Sequence, residues 1–101
     1  MLFIIYRTDR PETSPELRAR LLPDHKAHVK GIESQIAFAG PMLEPESGKV
    51  IGSLIVAEFS SLADAHAWID DEPFTLANVY QSTDVRHFIN AWPQRVGFPV
   101  S

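Results

Sequence analysis

One histidine and one acidic segment of this sequence have the types of side chain that acid–base chemistry requires. His25 follows Pro23 and Asp24, and because a proline restarts a helix, we expect His25 in the first turn of a helix that begins at Pro23. The positive end of the helix dipole disfavours an imidazolium there, so a neutral ring is expected near neutral pH. A carboxylate from Asp70, Asp71 or Glu72 would fix the tautomer of His25 and stabilise its charged form, as a general base requires.

Each of these groups also has a purely structural interpretation. A lone histidine more often lies at the edge of a polar pocket and binds a backbone carbonyl, and this alternative stays open for His25. The acidic run from Asp70 to Glu72 is also typical of a solvated helix end followed by an N-cap for the turn at Pro73, a role for which Asp71 is better suited than Glu72.

Substrate contacts are predicted from a serine in an apolar strand and from nearby aromatic residues. Ser53 stands in an apolar run after Gly52, and the glycine allows close approach of a ligand or backbone. We expect Ser53 to bind substrate rather than to act as a nucleophile. Trp68, Phe74 and Tyr80 surround the acidic segment in the sequence and could line an apolar pocket, although filling of the core is the safer interpretation of these rings.

The other histidines give weaker signals. His28 lies three residues after His25 and shares its predicted buried face, so a packed or interface role is expected for it. A metal shared by these two side chains would need further ligands, and none stands at a recognisable spacing, so no metal or other cofactor is predicted. His66 and His87 receive no role.

Composition limits the remaining classes of function. The chain has 101 residues, 45% of them hydrophobic and 22% charged, which predicts a single domain over residues 1–101. A net charge of -4 with scattered Lys and Arg argues against nucleic acid as a partner. There is no cysteine, no apolar run near the ~20 residues of a membrane span and no signal-like N-terminus. We expect a cytoplasmic protein that binds no membrane.

The elements that would position these residues follow from hydrophobic patterning and turn signals. The first strand, rich in β-branched and aromatic residues, is expected to be buried on both faces, and Thr13 or Ser14 caps the helix after it. Pro23 divides that helix near Leu22. Four strands are predicted: 2–7, 36–42 with a break at Gly40-Pro41, 49–59 and 80–92. A further helix starts at Ser60 or Ser61, a short helical turn spans 73–78, and residues 93–101 form a tail.

This order of elements predicts an α+β fold. β-α-β-β-α-β with short connections is the ferredoxin-like split βαβ arrangement, an antiparallel four-stranded sheet with both helices on one face. The strands also carry apolar side chains on the other face. We expect a homodimer that packs sheet on sheet to cover it.

Several motifs in their order resemble the YciI-like, or YCII-related, family of dimeric α+β barrel proteins over roughly residues 1–92. They are Leu2-Phe3-Ile4-Ile5-Tyr6, Pro23-Asp24-His25, Ala39-Gly40-Pro41, Gly52-Ser53 with the strand to Phe59, and Glu72-Pro73-Phe74 with Val79-Tyr80. The resemblance implies a ferredoxin-like monomer, dimerisation through the sheets, and a cleft with a catalytic histidine and acid. His25 matches the histidine, and Glu72 stands where the family usually has Asp. Gly40 and Pro41 join the expected substrate-binding residues.

The function predicted from these observations is that of an enzyme acting on a small organic molecule. His25 would be the general acid or base, a carboxylate among Asp70, Asp71 and Glu72 would orient it, and the reaction would be an elimination or isomerisation without a cofactor. A non-catalytic module that binds a small molecule in the same pocket is the alternative. A purely structural dimer would have no pocket.

Overall fold

Four strands and three α-helices make up the part of the chain that the computed structural model describes, residues 1–92 and 94–95. In chain order they are β1 (Leu2–Asp9), α1 (Pro15–Lys30), β2 (Ile36–Leu43), β3 (Val50–Glu58), α2 (Leu62–Asp70), α3 (Pro73–Leu76) and β4 (Tyr80–Phe88). A 3-10 turn, Glu33–Gln35, precedes β2. The predicted tail lies largely outside the described residues.

The strands form one antiparallel sheet in the order β2-β3-β1-β4. This confirms the predicted α+β fold with the split βαβ arrangement, because α1 joins β1 to β2 with β3 between them, and α2 and α3 join β3 to β4 with β1 between them. In register, Phe3 pairs with Ala57, Ile5 with Ile55 and Arg7 with Ser53. These six side chains therefore point to the same face of the sheet.

The helices cover that face and bury it. Phe3, Ile5, Ile55 and Ala57 belong to the main core cluster, together with residues from the helical side that share apolar character: Ile32, Ala65, Trp68 and Ile69. On the opposite face of β1, Tyr6 keeps 43% of its surface exposed. Within a single chain β1 is therefore buried on one face only, because the described helices pack against the other side of the sheet.

Helix α1 is longer than the sequence suggested. Ser14 is its N-cap, with its hydroxyl accepting from the Leu17 N–H at 3.1 Å, while the Thr13 hydroxyl donates to the Val79 carbonyl. The helix has 16 residues, none of them fully buried. Within the described residues no helix is both long and apolar enough to cross a membrane.

The predicted helix break at Pro23 is wrong. Pro23 lies inside α1 on an exposed stretch, where its missing N–H removes one backbone hydrogen bond. The turns on both sides are held by packing: Leu17 and Leu21 contact the cluster around Phe74, and Val29 contacts the main core. This packing keeps the two halves in one helix, so His25 lies well inside α1 and the helix-dipole argument for a neutral ring does not apply.

Two predicted strand boundaries also change. Gly40 and Pro41 do not break β2, which runs through to Leu43. Because β2 is an edge strand, paired only with β3, Pro41 can lack an N–H without losing a ladder bond in the sheet. At the other edge, β4 ends at Phe88 rather than Trp92, and Trp92 is 90% exposed.

Candidate active site

Glu72 is the carboxylate that reaches His25. Its Oε1 contacts His25 Nδ1, which joins the middle of α1 to the start of α3. Glu72 is also the N-cap of α3, where Oε2 accepts from the Thr75 N–H at 3.0 Å. Asp70 and Asp71 are exposed at the end of α2, and neither is brought to His25. The expectation that Asp71 is the better cap is wrong, because Asp71 is instead the C-cap residue of α2.

The environment of Glu72 keeps its carboxylate ionised. The side chain is fully buried, and Oε2 lies 3.5 Å from Nη1 of Arg7, which is fully buried too. Burial alone raises the pKa of Glu72, but the hydrogen bond with His25, the Arg7 charge and the Thr75 N–H lower it, and the net pKa lies below its ordinary value. Glu72 can therefore act as a permanent acceptor for His25 Nδ1–H.

Arg7 is a site residue that the sequence reasoning missed. Its Nε donates to Ser53 Oγ at 3.2 Å, its guanidinium lies 4.3 Å from the centre of the Tyr80 ring, and neither Nη1 nor Nη2 has a hydrogen-bond partner among the described residues. Strand alternation was the available signal: Phe3, Ile5 and Arg7 are two residues apart, so Arg7 shares their buried face.

Aromatic rings fix the orientation of the histidine. Phe74 is completely buried and stacks on His25, with ring centres 4.3 Å apart and planes 18° apart. Tyr80 packs edge-on against Phe74, and burial raises the pKa of its hydroxyl. Phe74 and Tyr80 thus support the site from behind, and neither lines the cavity described below.

A cavity of about 700 Å³ lies between α1 and the helix-facing side of β2 and β3. Of the residues predicted from sequence, His25, Ser53, Gly40 and Pro41 line it. Arg7 and Arg18 also line it, and neither was predicted. The other wall residues are mostly apolar, with charged side chains from the later turns of α1 and the 3-10 turn: Ala19, Leu22, Lys26, Val29, Lys30, Glu33, Ile36, Ala39, Val50 and Ile55.

In a neutral His25, the Nδ1–H donates to Glu72, and the lone pair is then on Nε2. A ring of this tautomer takes up a proton at Nε2, and the resulting imidazolium is stabilised by the buried carboxylate. The arrangement is thus chemically suited to moving a proton to or from a molecule in the cavity.

The remaining histidines lie apart from this pair. His28 stacks on Trp68 with ring centres 4.8 Å apart, and its Nε2 is 2.9 Å from the Trp68 carbonyl oxygen, which is the packed position expected from its face of the helix. His66 is exposed, and the His87 ring packs near Phe3. Among residues 1–92 and 94–95, no three His, Cys, Asp or Glu side chains are grouped as a metal site would require.

Comparison with known proteins gives consistent matches along the chain. The model of the YCII-related domain matches residues 1–89. Protein YciI of Escherichia coli O6:H1 is 36% identical over 95 residues, which cover 87% of this chain and 96% of that protein. An uncharacterized protein of Haemophilus influenzae is 30% identical over the same shares of both chains.

A solved structure is similar over nearly the same length. It is the 5-chloro-2-hydroxyhydroquinone dehydrochlorinase TftG from Burkholderia phenoliruptrix AC1100, in complex with 2,5-dihydroxybenzoquinone. The TM-score is 0.82 and the sequence identity 31%, with 88% of this chain and 94% of that chain covered. The similarity thus extends from sequence to fold and includes an enzyme that acts on a small molecule.

Proposed function

Because this chain belongs to the YCII-related family, we propose that it is an enzyme that abstracts a proton from a small organic molecule, with elimination or isomerisation as the outcome. His25 is the general base and acid, and Glu72 orients it. The observation that carries this proposal is the contact of His25 Nδ1 with a fully buried carboxylate at the wall of a cavity.

The reaction begins with the transfer of one proton to His25, which releases it to water after an elimination or returns it to the substrate in an isomerisation. His25 Nε2 takes a proton from an acidic carbon, and the C–H electron pair forms a double bond. In an elimination the leaving group departs from the neighbouring carbon with its own bonding pair. In an isomerisation His25 returns the proton to a different carbon. Neither outcome needs an oxidant or reductant, because the electrons stay within the substrate.

Size and similarity support a small substrate. The cavity volume of about 700 Å³ lies within the roughly 300–1,000 Å³ typical of small-molecule sites. TftG is named as a dehydrochlorinase and was solved with a dihydroxybenzoquinone, which makes hydroxylated six-membered rings a suitable first panel of substrates. Ser53, Gly40 and Pro41 form the part of the wall that would contact such a ring.

Dimerisation through the open face of the sheet is part of this proposal. On that face Tyr6 is opposite Leu54 in the register of β1 and β3, and Phe38 on β2 is 45% exposed. A second copy packed sheet on sheet would remove these apolar side chains from water. Sedimentation equilibrium at micromolar protein concentration tests this, since a monomer mass would contradict it.

The decisive experiment for the proposed base is proton exchange. Hydroxylated and chlorinated ring compounds, including 5-chloro-2-hydroxyhydroquinone, are incubated with the protein in D₂O, and exchange at carbon and chloride release are followed. His25→Asn is expected to lower the rate by about 10²-fold or more, whereas His66→Asn, which changes an exposed histidine outside the cavity, leaves it unchanged. Ligands that bind and are recovered intact without exchange would favour the non-catalytic module and contradict the enzyme.

A further inference from the structure

The cavity wall has a charge composition opposite to that of the whole chain. The chain has 13 acidic residues against nine Lys and Arg, with a net charge of -4. The cavity is lined by four of the nine cations, Arg7, Arg18, Lys26 and Lys30, and by one acidic residue, Glu33. Lys30 and Glu33 pair with each other at 3.3 Å on the exposed rim. The inner polar wall therefore consists mainly of hydrogen-bond donors.

Arg18 is held rigidly at this wall. Its Nε and Nη2 donate to the two oxygens of Asp9 at 2.9 and 3.2 Å, and its guanidinium lies 4.6 Å from the centre of the Phe74 ring. Asp9 does not line the cavity, so it binds the guanidinium from outside. Neither of these two hydrogen bonds uses the third nitrogen, Nη1. A planar cation that is already fixed on two sides loses little further conformational freedom when a ligand binds on its third side.

Arg7 adds an unsatisfied donor group at the same wall. Its Nη2 has no acceptor in the described part of the chain, and its Nη1 is 3.5 Å from Glu72 Oε2, beyond good hydrogen-bond length. A buried, unpaired N–H is costly. Arg7 and Arg18 contact the neighbouring rings Tyr80 and Phe74, His25 stacks on Phe74, and the two guanidinium groups line the same cavity as the proposed base.

We propose that the cavity selects ligands that carry an oxyanion, namely a carboxylate, phenolate or enolate on a small apolar body, and that Arg18 Nη1 binds this oxyanion beside His25. The inference rests on the proposed function, since it names the substrate class of the same site. The apolar walls from Leu22, Val29 and Ile55 receive the body of the ligand. Asp9 offsets the charge of Arg18, so recognition depends on directed N–H groups more than on a long-range field.

This assignment also gives Arg18 a role in the reaction. When His25 takes a proton from carbon, negative charge develops on the oxygen conjugated to that carbon. A fixed guanidinium N–H at this oxygen stabilises the charge without having to reorganise. Arg18 is thus both the residue that selects an anionic substrate and one that stabilises the enolate formed from it.

Matched ligand pairs test the proposal by binding alone. The dissociation constants of 2,5-dihydroxybenzoquinone, which is ionised at neutral pH, and of its uncharged dimethyl ether are measured by calorimetry, and benzoate is compared with benzamide. The intact protein is expected to bind the anion of at least one pair about tenfold or more tightly than its neutral partner. Arg18→Gln removes this preference, and Arg18→Lys, which keeps the charge without the planar fork, restores part of it.

The control is Arg20→Gln, which removes the same charge from an exposed position of α1 outside the cavity and is expected to leave every dissociation constant unchanged. Thermal unfolding of each variant verifies that it is folded. Equal binding of both members of every pair, no binding of any anion, or an unchanged preference in folded Arg18→Gln would overturn the proposal. His25→Asn separates it from the proposed function: that variant should keep the anion preference while losing proton exchange. Proton exchange by the intact protein without a preference for anionic ligands would refute this inference and leave the proposed function in place.

Discussion

Replacing Glu72 by Gln is expected to destabilise the fold as well as the site. The substitution preserves size but removes a charge from a side chain that is 0% exposed and contacts Arg7, which is also 0% exposed. A Gln at this position can still accept from the Thr75 N–H, so the cap of α3 is largely retained. What is lost is the counter-charge of a buried guanidinium and the anionic acceptor for His25.

The size of the effect follows from the burial of both partners. Removing one partner of a buried ion pair costs about 3–5 kcal/mol, because the other charge is left buried without compensation. The Nη atoms of Arg7 have no alternative hydrogen-bond acceptor among the described residues, so we expect a value in this range rather than the smaller cost of a surface pair. The free energy of unfolding is measured from urea denaturation curves. Its slope against urea concentration should be the same in the intact protein and in Glu72→Gln.

Two companion variants test the cause. Asp71→Asn removes a neighbouring, exposed charge and should change the free energy of unfolding by less than about 0.5 kcal/mol. Arg7→Met combined with Glu72→Gln should cost less than the sum of the two single substitutions, because no buried charge then lacks its partner. A loss below about 1 kcal/mol for Glu72→Gln alone, or strict additivity in the double variant, would refute the reasoning.

The same residue predicts a pH dependence of stability. The folded pKa of Glu72 lies below its ordinary value of 4.5, so the unfolded chain binds the proton more readily than the folded protein. The stabilisation from Glu72 is therefore complete above pH 4.5 and is lost as the pH falls through the lower, folded pKa. The difference in unfolding free energy between the intact protein and Glu72→Gln should shrink in that acidic window and remain constant above it.

Two further predictions concern the sheet. Gly52→Ala should destabilise the protein by about 1–3 kcal/mol or more, because an added Cβ would lie 2.1 Å from the Arg7 carbonyl oxygen. Gly40→Ala is the control, since no atom lies within 4 Å of its added Cβ, and it should leave the stability nearly unchanged. Equal effects of the two substitutions in thermal unfolding would contradict the close approach at Gly52. Tyr6→Glu on the open face of the sheet should shift the mass measured by sedimentation from dimer to monomer. Leu62→Glu, which changes an exposed residue of α2, should leave the mass unchanged. If the Tyr6→Glu variant also stays dimeric, the open face is not the interface.

Much of the fold could be predicted because its signals are periodic. The unbroken run of β-branched and aromatic residues from Leu2 to Tyr6 predicts a strand but not which of its faces is covered within the chain, and the regular series of strands and helices predicts the βαββαβ order. Arg7 stands two residues after Ile5 and so shares its face of β1, but a charged residue at a strand end is usually solvated, and the sequence alone does not show that the buried Glu72 provides its counter-charge.

The errors have a common physical origin, since each applied a local rule where tertiary contacts decide. Pro23 disfavours a helix locally, yet packing of Leu21 and Val29 on two different clusters holds α1 together. Asp is a better cap than Glu on average, but Glu72 has the longer side chain, and it reaches both the Thr75 N–H and His25. The pairing of His25 with this carboxylate joins residues 47 positions apart, which no local pattern specifies.

The two edge strands of the sheet also explain how the protein avoids pairing with strands of other molecules. A strand with a free row of N–H and C=O groups is a template for another chain and a route to aggregation. On the β2 edge, Pro41 interrupts that row because it has no N–H to offer. On the β4 edge, Asp84 and Arg86 place exposed charges along the strand. The proline that the cavity uses as a wall residue thus also protects the protein against edge-to-edge association.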